Sequence, residues 1–396
     1  MSMSSSWQRT LWIVWFAEFV SILGFSIILP ILPFYVQEMG VTEPNAVKFW
    51  SGLIYSAHAV TMALISPVWG AISDRHGRKL MVERAMFGGV LVMVLMGLAR
   101  TPLQLVLLRM LQGLLTGTVT AATTLVASIA PRERTGYALG VLQMGIYVGA
   151  SLGPLTGGLI ADTLGFQFAF WTTGGLLLVG GLLVALLVKE NFVPPPPTER
   201  RRGWTKSLGR LLSSRPILSA FSVRLVMRLG NQMLGPILPL FVQSLAAGGL
   251  VATLSGTVQG VSAAAGALGA MLLGRVGDRV GHRQVLLVGA LASAILYIPQ
   301  YFVRSVPLLT LLQGCTGLAM GGILAALSAT LAALAPEGEQ GAVYGLDASI
   351  VSLANGVAPL LGTSLAMAAG LPAPFLGAAT LFACAGLVTA RLLPKP

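Results

Sequence analysis

Five ionisable residues stand in stretches that are otherwise almost wholly apolar: Glu18, Arg109, Arg224, Arg228 and Asp347. A carboxyl in apolar surroundings favours its neutral form, and a guanidinium brought beside it favours the carboxylate. An acid that meets the two environments in turn takes up and gives off a proton. Glu18 is the first residue to examine for that chemistry and Asp347 the second. Arg109 begins the run Arg109-x-x-Gln112-Gly113. At ~1.5 Å per residue it lies roughly 10 Å into its helix, too deep to be an ordinary surface cation. It either pairs with an acid in one state and releases it in another, or it snorkels to the nearer surface. His58 also titrates near neutral pH in water, although a lone histidine in an apolar helix more commonly serves packing.

These residues can work only if the elements around them cross a bilayer. The chain has 396 residues, 55% hydrophobic and 10% charged, with a mean hydropathy of +0.82. Apolar runs of about 20 residues are long enough to span the hydrocarbon core. The 48 Gly and 22 Pro fall largely inside those runs, which transmembrane helices tolerate. The reading is an all-α membrane protein with twelve transmembrane helices, at about 11–36, 50–72, 80–99, 102–129, 136–161, 167–188, 217–243, 252–274, 284–303, 306–334, 341–368 and 373–393. The first run is too long for a cleaved signal and is expected to remain as a helix. Cys315 and Cys384 fall inside predicted helices, which leaves no disulfide framework or thiol metal site and suggests two small buried apolar residues.

The one long link, 189–215, holds four consecutive prolines (Pro194–Pro197) and then Glu199–Arg202. It is solvated and joins a six-helix bundle at 1–188 to a second at 216–396. Trp204, Leu208, Leu211 and Leu212 give its later part the pattern of a surface helix, with an unstructured basic linker as the other option. Of 25 Lys and Arg, eighteen fall on the side that holds the termini and this link. Three, Lys48, Arg100 and Arg304, fall on the other side, and four lie within spans. The bias places both termini and the link in the cytoplasm. The net charge of +12 is thus explained by topology and anionic lipid, with no nucleic acid implied.

The chain repeats itself. LPILPFYVQ at 29–37 returns as GPILPLFVQ at 235–243, GAISDRHGRK at 70–79 as GRVGDRVGHR at 274–283, and APRERTGYALG at 130–140 as APEGEQGAVYG at 335–345. The offsets are 206, 204 and 205. Each copy has six spans, so both have the same orientation and are related by an axis along the membrane normal. The first offset carries Glu18 onto Arg224, with Arg228 one turn further along the same face. The repeat predicts that Glu18 exchanges between these arginines and a proton, or that it forms a static ion pair with Arg224.

Four stretches carry a family resemblance. Gly70-x-Ile72-Ser73-Asp74-Arg75-x-Gly77-Arg78-Lys79 concentrates charge between spans two and three, with Gly77 for the turn and Gly70 for close helix approach. Its second copy, with Asp278 and Arg279, is degenerate. Leu23-Gly24-x4-Leu29-Pro30-Ile31-Leu32-Pro33 should kink the outer half of the first span. Arg109-x-x-Gln112-Gly113 is the third. The fourth places Gly145, Gly149, Gly153, Pro154, Gly157 and Gly158 on one span, a smooth groove for close packing. Together they resemble the major facilitator superfamily over about residues 10–393, and within it the twelve-helix drug:proton antiporter branch.

That resemblance implies the following. The first stretch is a conformational latch that stabilises the outward-open state, or else a plain topogenic loop. The third stretch is linked to proton coupling. The fourth is the antiporter signature, or packing alone. The expected activity is export of lipophilic, often cationic, drugs against protons by alternating access, and the expected localisation is the inner membrane. The alternative is the same fold exporting a sugar, metabolite or lysolipid. Expected partners are small lipophilic molecules, protons and membrane lipids around a monomer, and the proton gradient supplies the energy with no cofactor or metal. Gln112, Gln143, Tyr147, Asn231, Gln232 and Gln313 are the polar residues that can line a substrate path, though helix–helix hydrogen bonds explain them almost as well. No metalloprotease, nucleophile-elbow or phosphate-loop motif occurs in the chain, which points away from an enzyme and from ATP-driven pumping.

Overall fold

In a computed structural model the described residues are 4–190, 192, 211, 213–246, 248–336 and 340–392. The link expected to carry a surface helix lies almost wholly outside them, as does the side chain of Asp74. Among the described residues the chain forms helices without strands. In the first repeat these are α1 (Ser4–Ile28), α2 (Leu32–Glu38), α3 (Pro44–His76), α4 (Arg78–Gly97), α5 (Pro102–Leu115), α6 (Thr118–Ile129), α7 (Thr135–Leu164) and α8 (Phe166–Leu187). The second repeat follows with α9 (Arg215–Gln232), α10 (Ile237–Leu245), α11 (Val251–Val280), α12 (His282–Tyr301), α13 (Val306–Leu334), α14 (Gln340–Ala369) and α15 (Ala373–Leu392).

These helices supply twelve segments long and apolar enough to cross a membrane. Three spans are interrupted. The first is broken by a 3-10 turn at Leu29–Ile31, where Pro30 and Pro33 remove backbone donors. The seventh breaks before Ile237 at the matching Pro236. The fourth was expected to run unbroken over 102–129. It instead divides at Thr116–Gly117, because Gly117 takes a φ of +123°, a region that interrupts the helical hydrogen-bond ladder.

Two compact units are present. One comprises Met1–Thr42, Ala57–Pro195 and Gly248–Gly260, and the other Glu43–Ser56, Pro196–Ala247 and Val261–Pro396. The boundary therefore departs from the simple halves at 1–188 and 216–396. In the first unit, Asp162 at the end of α7 explains part of the exchange. Its carboxylate accepts from the backbone N–H groups of Ala252 (3.3 Å) and Thr253 (2.7 Å) and from the Thr253 hydroxyl (2.7 Å). A carboxylate at a helix N-terminus satisfies donors that have no partner within the helix and complements the dipole. In the second unit, Lys48 of α3 donates to the Ala366 carbonyl of α14 at 3.2 Å.

The glycine groove of α7 receives α1. A Cβ added at Gly145 would stand 2.7 Å from the Trp15 indole nitrogen, one at Gly149 2.8 Å from the Phe19 carbonyl, and one at Gly153 2.5 Å from Ser26 Cβ. Gly157 meets the Ile27 backbone in the same way, whereas Gly158 faces Ala252. Backbone-to-backbone contact of this kind is how helices associate where lipid removes the hydrophobic drive. Gly149→Val is expected to destabilise the first unit by about 1–3 kcal/mol through overpacking. Thermal unfolding of purified protein in detergent measures it, and an unchanged midpoint would mean the groove is not closed by α1.

Two expectations are corrected. Cys315 and Cys384 are exposed, on helix surfaces where lipid accepts a small apolar side chain. Gly70 has nothing within 4 Å of an added Cβ, so no neighbouring helix requires a glycine there.

Candidate functional site

Glu18 is fully buried in α1. Its Oε1 accepts a hydrogen bond from the hydroxyl of Thr118 at 3.1 Å, and the same hydroxyl oxygen accepts from Ser21 at 3.2 Å. Oε2 has no hydrogen-bond partner. Thr118 is the first residue of α6, so the carboxyl rests at the positive end of that half-helix.

On the other side of the break, α5 ends with the Thr116 N–H donating to the Gln112 carbonyl at 2.9 Å. Carbonyls left open at the break are taken by side chains. The Trp69 indole donates to Leu114 at 2.7 Å, and Arg84 reaches Thr116 at 3.5 Å while its guanidinium lies 3.7 Å above the Trp69 ring. Arg109 is buried one turn earlier in α5 and donates to Gln112 Oε1 at 2.7 Å. His58 of α3 lies against it and bonds to the Arg109 backbone. Gly113 permits this approach: a Cβ there would overlap the His58 carbonyl and the Thr61 hydroxyl, and Thr61 donates to the Met110 carbonyl at 2.9 Å.

The second unit holds the other ionisable cluster. Arg224 Nε stands 3.0 Å from Asp347 Oδ1 as an ion contact without hydrogen-bond alignment, and its Nη2 donates to Oδ2 at 3.1 Å. Arg228, one turn on, donates from Nε to Asn355 Oδ1 at 2.9 Å. Within its own unit Glu18 meets Thr118, and within the other unit Arg224 meets Asp347. The helix α14 contributes an acid at Asp347 where the corresponding first-repeat helix, α7, carries Leu142.

The basic loop is also organised by a residue that the sequence did not single out. Gly77 adopts a φ of +98°, and Glu190 accepts from the backbone N–H groups of Arg78 (3.0 and 2.9 Å) and Lys79 (2.8 Å) at the start of α4. The Lys79 ammonium donates to the Ala185 carbonyl at 2.9 Å and pairs with Glu83 at 3.4 Å. Arg75 is exposed. In the second copy Asp278 lies 3.7 Å from His282, and Arg279 is exposed.

The polar residues proposed to line a substrate path separate into groups. Gln112 belongs to the Arg109 site. Gln313 is buried in a neutral network with Gln300 (3.0 Å) and, through it, Thr316 (3.0 Å). Gln143 bonds to Tyr147, and Asn231 and Gln232 are half-buried near the end of α9. Thr118 and Glu190 were missed, as was the role of Asn355 as partner of Arg228. A glycine between two β-branched residues in a long helical run, Thr116-Gly117-Thr118, was the available signal for the break. Nothing local marked Glu190, whereas Asn355 opens Asn355-Gly356-x-Ala358-Pro359-x2-Gly362, the weaker second copy of the α7 glycine pattern.

The Major Facilitator Superfamily model matches residues 14–227 and 220–396. The chain is 36% identical to the multidrug resistance protein MdtG of Salmonella paratyphi A over 371 residues, covering 93% of this chain and 92% of the relative. It is 37% identical to the MdtG of Citrobacter koseri over 371 residues, covering 93% and 91%. Among solved structures it superposes on a bacterial homologue of the human lysosomal transporter Spinster with a TM-score of 0.80, at 15% identity and 98% and 97% coverage. It also superposes on the human organic anion transporter MFSD10 with a TM-score of 0.70, at 19% identity and 97% and 99% coverage. Both structural likenesses show the fold alone. With twelve membrane-crossing segments and two internal repeats that share motifs and spacing, the chain is a multi-pass inner-membrane protein that belongs to the Major Facilitator Superfamily.

Proposed function

We propose that the protein is a proton-coupled antiporter that exports lipophilic, often cationic, drugs by alternating access, with Glu18 carrying the proton and Arg109 supporting the coupling. The observation that supports this reading is the state of Glu18: fully buried, with one oxygen on a hydroxyl and the other without a partner. Arg224 and Arg228 are engaged by Asp347 and Asn355, whereas Glu18 has no cation among its described partners. A buried charge of that kind is costly, so its environment must change when the charge does. The relatives named for multidrug resistance support drugs as the cargo.

The experiment is proton release driven by ethidium in energised inside-out vesicles, comparing the wild type with Glu18→Gln. Release by the wild type and none by the variant is expected. Release by both moves the proton to Asp347 or elsewhere, and no wild-type response to a panel of dyes favours a sugar, metabolite or lysolipid.

A second reading has its own support. Arg224, Arg228 and Asp347 together carry one positive charge in excess, and the guanidinium of Arg228 bonds to a neutral amide. A compound carrying an anionic group would supply the missing charge. The same vesicles challenged with an anionic dye distinguish it from the cationic cargo.

A further inference from the structure

The two repeats differ at one place that matters for the proton. The fourth span breaks at Thr116–Gly117, whereas its counterpart α13 runs unbroken from Val306 to Leu334. The offset of 204 aligns Arg109 with Gln313, Gln112 with Thr316, Gly113 with Gly317 and His58 with Ser262. The packing confirms this register, because Gly317 meets the Ser262 carbonyl as Gly113 meets that of His58. In that register Gly117 falls on Gly321 and Thr118 on Gly322. Glycine at this position therefore does not by itself break the helix. What the first repeat has in addition is Thr118, and facing it Glu18 where the second repeat has Arg224.

The break changes what Thr118 can do. Threonines within the continuous helices bond back to the carbonyl four residues earlier, as Thr123 does to Val119 and Thr163 to Leu159. For Thr118 that carbonyl would be Leu114, which is instead occupied by the Trp69 indole. As the first residue of α6, Thr118 turns its hydroxyl to Glu18 and receives Ser21 in exchange. The other face of the break is held by the Arg84 guanidinium at the Thr116 carbonyl, the cation a helix C-terminus favours.

We infer that the break in the fourth span is a coupling joint, and that Thr118 is the positioning residue that ties Glu18 to it. The inference rests on the proton-coupled reading of Glu18. The unpartnered Oε2 supplies the drive. When Glu18 loses its proton to water, its carboxylate needs further donors, and the first turn of α6 behind Thr118 offers backbone N–H groups that have no partner within the helix. Drawing that turn in flexes the joint at Gly117 and shifts α5, which carries Arg109 and Gln112. Proton binding releases it.

The test uses the full-length protein in proteoliposomes with ethidium in two modes: uptake driven by an imposed pH gradient, and exchange without a gradient. Thr118→Val is expected to lower gradient-driven uptake about tenfold or more, the effect of losing a hydrogen bond to an ionisable group. Exchange should fall far less, and Thr118→Ser should restore both modes. Ser21→Ala, which removes the donor to Thr118 without altering α6, should act in the same direction by a smaller factor. Thr118→Val with full gradient-driven uptake overturns the inference, as does equal loss of both modes in Thr118→Val and Thr118→Ser. If Glu18→Gln retains gradient-driven uptake, or the wild type moves no ethidium, the functional reading itself falls.

Discussion

Asp347→Asn is expected to lower the stability of the second unit by about 3 kcal/mol, the lower end of what breaking a buried ion pair costs, since Asn keeps one acceptor oxygen. Arg224 and Asp347 are 15% and 13% exposed, so little solvent is available to replace the lost charge. Arg228 one turn away would then face Arg224 with no anion between them, and the repulsion adds to the loss. The double change Arg224→Gln with Asp347→Asn should recover most of the deficit, because it removes the unpaired charge together with its partner. Thermal unfolding in detergent of the single and double variants measures both effects. A single variant as stable as the wild type would show that the pair contributes nothing to holding α9 on α14. The cation surplus also bears on cargo: the double variant keeps it on Arg228, so under the second functional reading it should still accept anionic dyes, whereas Arg228→Gln should not.

Gly113→Val is expected to destabilise the first unit by about 3 kcal/mol, the upper end for overpacking. At Gly113 the intruding atoms would meet the His58 carbonyl, the Thr61 hydroxyl and the Met62 nitrogen, which stands 2.9 Å from an added Cβ. Two of those three are backbone of α3 and cannot swing aside. Separating α3 from α5 also removes the Thr61 bond to Met110 and moves His58 off Arg109. Activity should therefore fall further than stability alone explains. Comparing gradient-driven transport at equal amounts of folded protein separates the two, and a folded variant with wild-type transport would mean that the α3–α5 contact is not part of the coupling.

The sequence carried the architecture because membrane insertion is decided locally. A run of apolar residues spans or does not, and Lys and Arg on the flanks orient it, whatever the rest of the chain does. Glycines at every fourth position of α7 likewise announced a close helix contact before its partner was known. The residues at the charged centres, Glu18, Arg109, Arg224 and Asp347, were legible for the same reason, since an ionisable group in an apolar run is rare enough to stand out.

Their partners were not legible. The repeat offset set Glu18 and Arg224 at equal depth, yet symmetry of sequence says nothing of what each meets within its own unit. Asp347 reaches Arg224 because α9 packs on α14 in the second unit. Thr118 reaches Glu18 because a helix breaks at Gly117, and an identical glycine in α13 does not break one. Glu190 and Asp162 each cap a helix far away in sequence. The sequence by itself determined the spans, their orientation, the repeat and the few residues able to hold charge in the membrane. Only the tertiary structure decided the pairing of those charges and the place where a span is cut. Hydropathy acts along the chain, whereas hydrogen bonds and ion pairs form between helices and depend on distances that only packing sets.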